Sequence, residues 1–428
     1  MTDIKPAGRR YSSVLGFGVH RASRVITNDE VAGPINSSDE WIRDRTGIVT
    51  RRWAPADVSI IDMACDAASG ALQHAGISAS QLGAVIVSTI SHPYQTPSAA
   101  VLVADRLGAS NAGAFDISAA CAGFPYAIGL ADGIVSAQQC DYVLVIGVEK
   151  LSDFTDPTDR GTAFIFADGA GAFVVGPSKT PDIGPTIWGA DGSEFEAITI
   201  EPNLYAQQEE FKATGCITKP VLHMQGQKVF KWAVGSMVDV CYRALESAGL
   251  TAADIAVFVP HQANNRITDA LVRGLKFPEH VVVARDIITT GNTSAASIPL
   301  ALDTLVKDGV AKSGDLALLV GFGDDSRIDP RRFQPFLFTR DAFTLLLKRS
   351  PAGSVHHAQL AADIGEPQIG VIFAQRQTIL RAAGKHAIRF RHAARDQIID
   401  QHAEIRLVAF GAPRIAVLHR QCGVQARE

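Results

Sequence analysis

Several common signals are missing from this 428-residue chain. It has no run of about 18 apolar residues, the minimum for a membrane-spanning helix, so we expect no membrane span. Residues 1–10 are polar and lack the apolar core of a secretory signal peptide, which predicts a soluble cytoplasmic protein. The 6 cysteines have no CxxC or Cys/His spacing, and their scatter indicates reduced thiols without a zinc site or a disulfide framework.

Charge is unevenly distributed along the chain, although its net value is only −4. Residues 326–428 contain 16 Lys and Arg against 8 Asp and Glu, a net charge of +8. Residues 1–325 hold the remaining 24 basic and 36 acidic residues, a net charge of −12. A shift of this size predicts a domain boundary near residue 325, or a segment of different origin after it.

A candidate nucleophile, Cys121, lies in the motif Asp-Ile-Ser-Ala-Ala-Cys-Ala-Gly-Phe. Residues 114–118 have the composition of a short strand, and residues 122–137 carry apolar residues at helical spacing. Cys121 would then stand at a helix N-terminus, where the helix dipole and free backbone N–H groups favour a thiolate. The alternative is a buried structural cysteine, since free Cys is among the most buried residue types.

Two polar residues far downstream lie in segments of similar build. The short apolar strand predicted at residues 257–260 ends at His261, and Asn292 stands among small residues in Thr-Thr-Gly-Asn-Thr-Ser-Ala-Ala-Ser. Taken singly, each is typical of a capping or solvent-facing residue. Together with a thiolate, they would supply a nucleophile and two hydrogen-bond donors for a developing negative charge.

The motifs SAACAGF, VPHQANNRI and TGNTSAASIP, which carry these three residues, resemble the ketoacyl-acyl carrier protein synthase III group of condensing enzymes. The resemblance covers about residues 11–323. It includes the following further segments: SSDEWIRDRTGI at 37–48, TDRGTAFIFADGAGAFVVG at 158–176, GQKVFKWAV at 226–234 and GDLALLVGFG at 314–323.

An internal repeat supports the fold that this resemblance implies. Residues 75–86 and 248–259 match in residue type at nearly every position, and each pattern predicts a helix end, a turn and a buried strand. Chance similarity of two αβ units is the alternative. The resemblance implies an α/β thiolase-like fold of two duplicated halves in an αβαβα arrangement. We expect these halves at residues 1–178, with the nucleophile, and 179–325, with His261 and Asn292.

The chemistry implied by the resemblance is a decarboxylating Claisen condensation. Cys121 would take the acyl group of an acyl-CoA primer, and malonyl-acyl carrier protein would then lose carbon dioxide. His261 and Asn292 would donate hydrogen bonds to the enolate oxygen. The product would be a β-ketoacyl-carrier protein of fatty acid synthesis, formed without a metal or redox cofactor.

Other residues correspond by motif to CoA recognition. Trp41 would stack on the adenine, and Arg45 and Arg160 would meet the adenine or the phosphates, although Trp41 is equally typical of a half-buried core aromatic. Asn264 would bind the pantetheine arm, or it would cap the helix that begins nearby.

A basic patch would attract the acidic carrier protein, and we assign to it Lys228, Lys231, Arg266, Arg273 and Lys276. A solvated helix face is the alternative. The resemblance also implies a homodimer. No nucleic-acid partner is expected.

Primer choice depends in the family on a channel residue at the position of Thr96. Many relatives that use acetyl-CoA carry phenylalanine there, so the smaller threonine predicts room for a longer or branched acyl group.

The sequence departs from the family after Gly323. The resemblance implies a small-residue loop here, whose second residue gives a backbone N–H to the oxyanion hole, and Asp324 occupies that position. A carboxylate so close would oppose an oxyanion and raise the pKa of Cys121.

The tail, residues 326–428, has the Arg, His, Gln and Ala content of a GC-rich gene translated out of frame. We therefore hypothesise a frameshift near Asp324 and a poorly ordered tail, with a genuine fused module as the alternative. Residues 333–338 and 369–373 have strand character and residues 374–392 have helix character. If the altered end impairs catalysis, the chain would be a relative that binds acyl-CoA or carrier protein without condensing them. A polyketide-type ketosynthase is the other alternative.

Overall fold

The computed structural model describes residues 10–190, 192–312, 314–323 and 336–338 of the chain. The helices are α1 Asn28–Ala32, α2 Asp39–Thr46, α3 Ile60–Ala75, α4 Ala99–Leu107, α5 Gly123–Ser136, α6 Leu204–Thr214, α7 Gly226–Ser247, α8 Asn265–Leu275, α9 Ile287–Thr290 and α10 Ser297–Lys307. The strands are β1 Tyr11–Arg21, β2 Arg24–Thr27, β3 Thr50–Trp53, β4 Leu82–Ser88, β5 Gly113–Ile117, β6 Tyr142–Lys150, β7 Asp168–Ser178, β8 Ile198–Glu201, β9 Val221–Met224, β10 Val257–Pro260, β11 Val282–Val283, β12 Ala317–Val320 and β13 Phe336–Phe338. The 3₁₀ turns are Ala79–Gln81, Ala120–Ala122, Leu151–Phe154, Gly192–Ala197, Ala252–Asp254 and Ser294–Ala296.

The first sheet has the strand order β1-β7-β6-β4-β5. Strand β4 runs parallel to β5 and β6, whereas β7 runs antiparallel to β6 and β1. Side chains of β6 alternate between the two faces of the sheet, and both sets are buried: Val143 and Val145 on one face, Leu144 and Ile146 on the other. Because both faces are covered, the strand has a continuous apolar sequence.

The second sheet has the strand order β11-β10-β12-β13. Strand β10 runs parallel to β11 and β12, and β13 pairs antiparallel with β12, with Leu337 opposite Leu318. The strand predicted at residues 333–338 is thus present in part, as β13. The strand predicted at 369–373 and the helix predicted at 374–392 lie outside the described residues.

The two sheets are separated by a helical layer and covered by two more. Helices α5 and α10 share one core with both sheets, which includes Phe124, Phe173, Val259 and Leu302. Helices α3 and α4 pack on the other face of the first sheet, and α7 and α8 pack on the other face of the second. The order of layers is therefore αβαβα, as predicted.

The two copies of the sequence repeat form the same series of elements. Helix α3 is followed by Gly76 in the left-handed region (φ 69°), a 3₁₀ turn and β4. Helix α7 is followed by Gly249 at the same φ of 69°, a 3₁₀ turn and β10. Glycine adopts this conformation without the penalty that a Cβ would bring, so it ends each helix and redirects the chain into the sheet.

The first sheet lies within the predicted first half, whereas the second sheet includes β13 and so extends past residue 325, the predicted end of the second half. Strands β1 to β7 lie within residues 11–178, and β10 to β12 lie within residues 257–320. Apart from β13, the predicted tail at 326–428 lies outside the described residues. None of the described helices is both long enough and apolar enough to cross a bilayer.

Candidate active site

Cys121 lies in a 3₁₀ turn, Ala120–Ala122, directly before α5 begins at Gly123. Ala120 has a φ of 43°, in the left-handed region that residues other than glycine rarely adopt. Cys121 is half-buried and lines a cavity, whereas Cys65 and Cys241 are buried. This exposure favours a reactive over a structural cysteine.

The sequence indicated that all the cysteines are reduced thiols, but the structure differs at one of them. Four described cysteines are free, namely Cys65, Cys121, Cys140 and Cys241. Cys216 is disulfide-bonded, so the expectation of reduced thiols is wrong at that position. The nucleophile candidate is unaffected.

The cavity beside Cys121 has a volume of about 500 Å³. His261 and Asn292 also line it and are 2% and 5% exposed. Apolar side chains such as Phe164 and Leu222 form much of the remaining wall. The cavity therefore brings all three predicted catalytic residues, from both halves of the chain, to one buried surface.

His261 follows the last residue of β10, so the strand positions its imidazole. Its backbone N–H donates to the Val320 carbonyl at 2.7 Å, and its Nδ1 lies 2.7 Å from the Ser297 Oγ. Burial lowers the pKa of His261 to about 3. The ring is therefore neutral at physiological pH, with one N–H to donate.

Asn292 is held by its backbone on one side and by its side chain on the other. Its N–H donates to Ile165 and its carbonyl accepts from Ala167, both at 2.9 Å. Its Oδ1 accepts the Ser294 N–H at 2.8 Å. Because the oxygen of the amide is used in this way, the NH₂ group is the end that can donate to a substrate.

A close approach of two backbones positions the Asn292 loop. The 3₁₀ turn Ser294–Ala296 lies against β6 at Gly147, where a Cβ would overlap the Ala295 carbonyl oxygen. Glycine therefore permits the contact that brings the loop of the second half next to the sheet of the first.

The loop after β12 also reaches the nucleophile. A Cβ placed on Gly323 would lie 3.4 Å from the Cys121 backbone nitrogen, and one on Gly321 would lie 3.1 Å from the Ala122 Cα. Gly323, the first residue predicted for the oxyanion loop, thus lies beside Cys121. Asp324, the second, lies outside the described residues.

An aromatic and two arginines predicted to bind CoA form a stack at the cavity wall. The guanidinium of Arg160 lies 5.1 Å from the Trp41 ring centroid, and that of Arg45 lies 5.6 Å from it. The rings of Trp41 and Phe164 also pack in a T-shaped arrangement, with their centroids 5.4 Å apart. Trp41 is half-buried and both arginines are exposed, so the stack can be reached from solvent.

Asn264 lines the cavity and also has the capping role given as its alternative. Its Oδ1 accepts the Arg266 N–H at 2.8 Å and so caps α8. Its Nδ2 donates to the Arg45 carbonyl at 3.1 Å, which ties α8 to the end of α2.

The five basic residues predicted to face a carrier protein do not form a single set. Lys231 and Arg266 line the cavity. Lys228 forms an ion pair with Glu194, which neutralises part of its charge. The other two, Arg273 on α8 and Lys276 just beyond it, are exposed and lie outside the cavity wall.

Thr96, the predicted channel residue, is not brought to this site. Thr96 is exposed, and it is not among the described residues that line the cavity.

Two residues missed by sequence reasoning lie next to the nucleophile. The Oγ of Ser294 is 3.4 Å from the Cys121 Sγ and 3.3 Å from the Glu149 Oε1. Ser294 belongs to the motif that contains Asn292, and Glu149 is the next-to-last residue of β6, after a run of apolar residues. An acidic residue directly after a buried apolar run was the available signal.

The family models and the similar proteins all describe one family of enzymes. Residues 115–192 match the family model of 3-oxoacyl-(acyl-carrier-protein) synthase III, and residues 245–325 match the model of its C-terminal part. The chain is 53% identical to beta-ketoacyl-(acyl-carrier-protein) synthase III of Streptomyces glaucescens, over 76% of this chain and 96% of that protein. It is 52% identical to synthase III 1 of Streptomyces coelicolor, with the same coverage.

Solved structures agree with these relatives. The priming β-ketosynthase of the R1128 polyketide pathway is 42% identical, with a TM-score of 0.74 over 79% of this chain and 99% of that one. The 3-oxoacyl-(acyl-carrier-protein) synthase III of Aquifex aeolicus is 38% identical, with a TM-score of 0.67 over 77% and 99%. The predicted thiolase-like α/β fold is thereby confirmed.

Proposed function

Because the chain belongs to the 3-oxoacyl-(acyl-carrier-protein) synthase III family, we propose that it is an acyltransferase that condenses an acyl-CoA primer with malonyl-acyl carrier protein. The product is a β-ketoacyl-carrier protein of fatty acid synthesis, together with carbon dioxide and CoA. The observation that carries the assignment is one cavity lined by a half-buried thiol, a buried neutral imidazole and an oriented amide.

In the first half-reaction the Cys121 thiolate attacks the thioester carbonyl of the primer. A new C–S bond forms, the bond to the CoA sulfur breaks, and the departing CoA thiolate takes a proton from solvent. The 3₁₀ turn before α5 favours the thiolate through the N-terminal end of the helix dipole. We propose the Cys121 N–H as one donor to the oxyanion, beside the loop that contains Gly323.

In the second half-reaction malonyl-carrier protein loses carbon dioxide and becomes an enolate. We propose that His261, through Nε2–H, and Asn292, through its NH₂ group, donate to the enolate oxygen. The neutral state of His261 suits this role. A neutral imidazole donates a hydrogen bond to the oxyanion, whereas an imidazolium with a pKa of about 3 would give up its proton. The enolate carbon then attacks the acyl group, and the Cys121 sulfur leaves.

CoA would bind at the exposed end of the same cavity. We propose that the adenine stacks at Trp41 and that Arg45 and Arg160 pair with the phosphates or the base. Asn264 would contact the pantetheine arm through the Nδ2 hydrogen that it does not donate to the Arg45 carbonyl, since its Oδ1 already caps α8.

The carrier protein would dock over α7 and α8. Lys231 and Arg266 support this, because they put positive charge at the cavity wall itself, and the exposed Arg273 and Lys276 would extend the surface. Lys228 would contribute less, because Glu194 pairs with it.

We further propose a cytoplasmic homodimer. The four free thiols, Cys65, Cys121, Cys140 and Cys241, support a reducing compartment, whereas the disulfide at Cys216 does not. In a dimer the exposed loop with Thr96 would reach the acyl channel of the partner subunit, which would account for its distance from the cavity of its own chain.

Two successive incubations of the full chain test the proposed function. Radiolabelled acyl-CoA should label the peptide that contains Cys121, and malonyl-carrier protein should then convert the label to β-ketoacyl-carrier protein. Cys121→Ser should take up no stable label, and Cys140→Ser is the matched control. Label without product would instead support a relative that binds without condensing.

A polyketide-type priming ketosynthase is the second candidate, since one such structure is 42% identical. A panel of acyl-CoA primers, each tested with malonyl-carrier proteins of fatty acid and polyketide synthesis, separates the two. Preference for the polyketide carrier would favour the second candidate.

A further inference from the structure

A carboxyl group is buried close to the nucleophile. Glu149, near the end of β6, is 0% exposed. Its carboxylate accepts hydrogen bonds from the Ser91 hydroxyl at 2.6 Å, the Thr89 hydroxyl at 3.2 Å and the Ile90 N–H at 3.2 Å. These partners hold the carboxylate in one orientation, although the reaction described above does not use it.

The Ser294 hydroxyl connects this carboxyl to the sulfur, at 3.3 Å from the Glu149 Oε1 and 3.4 Å from the Cys121 Sγ. A hydroxyl can donate one hydrogen bond and accept another, so it can relay a proton between the two groups in either direction. Its position is set by the backbone: Ser294 has a φ of 47°, and its N–H is held by Asn292.

We propose that Cys121 and Glu149 share one proton through Ser294, and that Glu149 returns this proton to the Cys121 sulfur when the condensation product leaves. In one arrangement the thiol donates to Ser294, which donates to the carboxylate. In the other the carboxylic acid donates to Ser294, which donates to the thiolate. Two protons shift along two hydrogen bonds, and no other bond changes.

The shared proton fits the order of the proposed half-reactions, on which this inference rests. Acylation uses the arrangement with a thiolate and a neutral Glu149. Condensation breaks the bond between the acyl carbon and the sulfur, and the departing thiolate then accepts the proton held by Glu149. Glu149 and Ser294 are thus positioning residues that act through Cys121.

The chemistry of Glu149 suits a proton carrier. Burial raises its pKa to about 7, against the hydrogen bonds from Ser91, Ile90, Thr89 and Ser294, which lower it. The group therefore exchanges its proton near neutral pH, where a carrier is most effective.

The surrounding charged groups are engaged elsewhere. His261 lines the same cavity and stays neutral, because burial lowers its pKa to about 3. Lys150, the next residue of β6, directs its Nζ to backbone carbonyls of the loop before α3, the nearest at 2.8 Å. Asp168, on the adjacent strand β7, accepts from Ser152. Within the described part of the chain, Cys121 is thus the titratable group that Ser294 links to Glu149.

The pH dependence of Cys121 alkylation tests the shared proton without any substrate. The full chain is treated with iodoacetamide between about pH 5 and 10, and alkylation of the Cys121 peptide is quantified by mass spectrometry. The unaltered protein should show two inflections, the lower near the pKa of Glu149. Glu149→Gln should show a single inflection, at a lower pH than the upper inflection of the unaltered protein. Its amide stays neutral, so no carboxylate opposes ionisation of the thiol.

Single-turnover kinetics test the return of the proton. Acylation of Cys121 in Glu149→Gln and Ser294→Ala should stay within a few-fold of the unaltered protein. Conversion of the preformed acyl-enzyme to product should be slower by about 10²-fold, since a positioned proton donor is missing. A merely structural role would slow both steps together, and that result would overturn the proposal.

Matched variants protect the test against misfolding. Ser294→Ala leaves the buried carboxyl and its other partners in place, so it decides the question if Glu149→Gln does not fold. Thr89→Val removes a hydrogen bond to Glu149 but no contact with Cys121, so it should keep both inflections and move the lower one to higher pH. A single inflection shared by all proteins would overturn the shared proton.

The two proposals fail in different ways. Two inflections in a protein that transfers no acyl group would support the shared proton and overturn the proposed function. Efficient condensation with one inflection would do the reverse.

Discussion

The Nδ1 of His261 and the Oγ of Ser297 lie 2.7 Å apart in the buried wall of the cavity. The Gln262 N–H also points at this Oγ, at 3.4 Å, so the hydroxyl accepts from the backbone and is free to donate its own proton to Nδ1. A hydrogen bond of that sense puts the ring proton on Nε2, which is the tautomer that can donate to an enolate.

Ser297→Ala should therefore slow condensation more than acylation. Without the hydroxyl the imidazole loses its orientation and its tautomer preference, and we expect condensation to fall by about 10–10²-fold. Single-turnover measurement of the two half-reactions checks this. Ser69→Ala on α3 is the control, and equal losses in both half-reactions would contradict the prediction.

The buried His261 should also make the folded state sensitive to acid. Its pKa is about 3 when folded, against 6.5 for an exposed histidine, so the unfolded chain binds the proton first as the pH falls. As the pH falls from 6.5 to 3, the unaltered protein should lose stability relative to His261→Gln. The difference in free energy of unfolding should grow by about 1.4 kcal/mol for each pH unit, in favour of the variant.

Urea denaturation at several pH values measures this difference directly. Glu149 acts in the opposite sense, because its raised pKa stabilises the fold as the pH falls from about 7 to 4.5. The comparison with His261→Gln cancels that contribution, since both proteins contain Glu149. A difference that is constant across the range would refute the prediction.

Gly147→Ala should damage both stability and catalysis. The added methyl would overlap the Ala295 carbonyl and push the Asn292 loop away from β6. We expect a loss of about 1–3 kcal/mol in free energy of unfolding, the usual cost of overpacking, together with slower condensation. Gly133→Ala in α5 is the control: nothing lies within 4 Å of its Cβ position, so it should be neutral or stabilising.

The stack at Trp41 should contribute to CoA affinity. Trp41→Ala and Arg160→Ala should each weaken CoA binding by about tenfold, equivalent to about 1.4 kcal/mol, and Trp41→Phe should retain most of it. Calorimetric titration with CoA measures the affinity. Lys212→Ala, on the exposed helix α6, should bind as the unaltered protein does, and equal affinity in all four variants would rule out this site.

The sequence predicted those parts of the site that depend on local structure. Cys121 and His261 follow short segments whose composition is typical of strands. The observed strands β5 and β10 lie within one residue of their predicted limits. The family resemblance implied the layered arrangement, and the repeat at residues 75–86 and 248–259 supported it, because each copy predicts a helix end, a turn and a buried strand.

The parts that depend on tertiary packing could not be predicted in this way. Glu149 lies near the end of a strand, where acidic residues are often exposed. Only the approach of the Ser294 turn over Gly147 makes it a neighbour of the nucleophile. Lys228 was assigned to a basic surface, but Glu194 lies far from it in sequence and next to it in space.

The antiparallel strand β13 limits how far the chain can be shortened. Its backbone covers one edge of β12, with residues 336–338 opposite 317–319. A protein ended at residue 325 would present that edge to solvent as unpaired N–H and C=O groups, the arrangement that lets sheets join between molecules. The shortest version that keeps the second sheet intact must therefore extend through Phe338, well past the point where family resemblance ends.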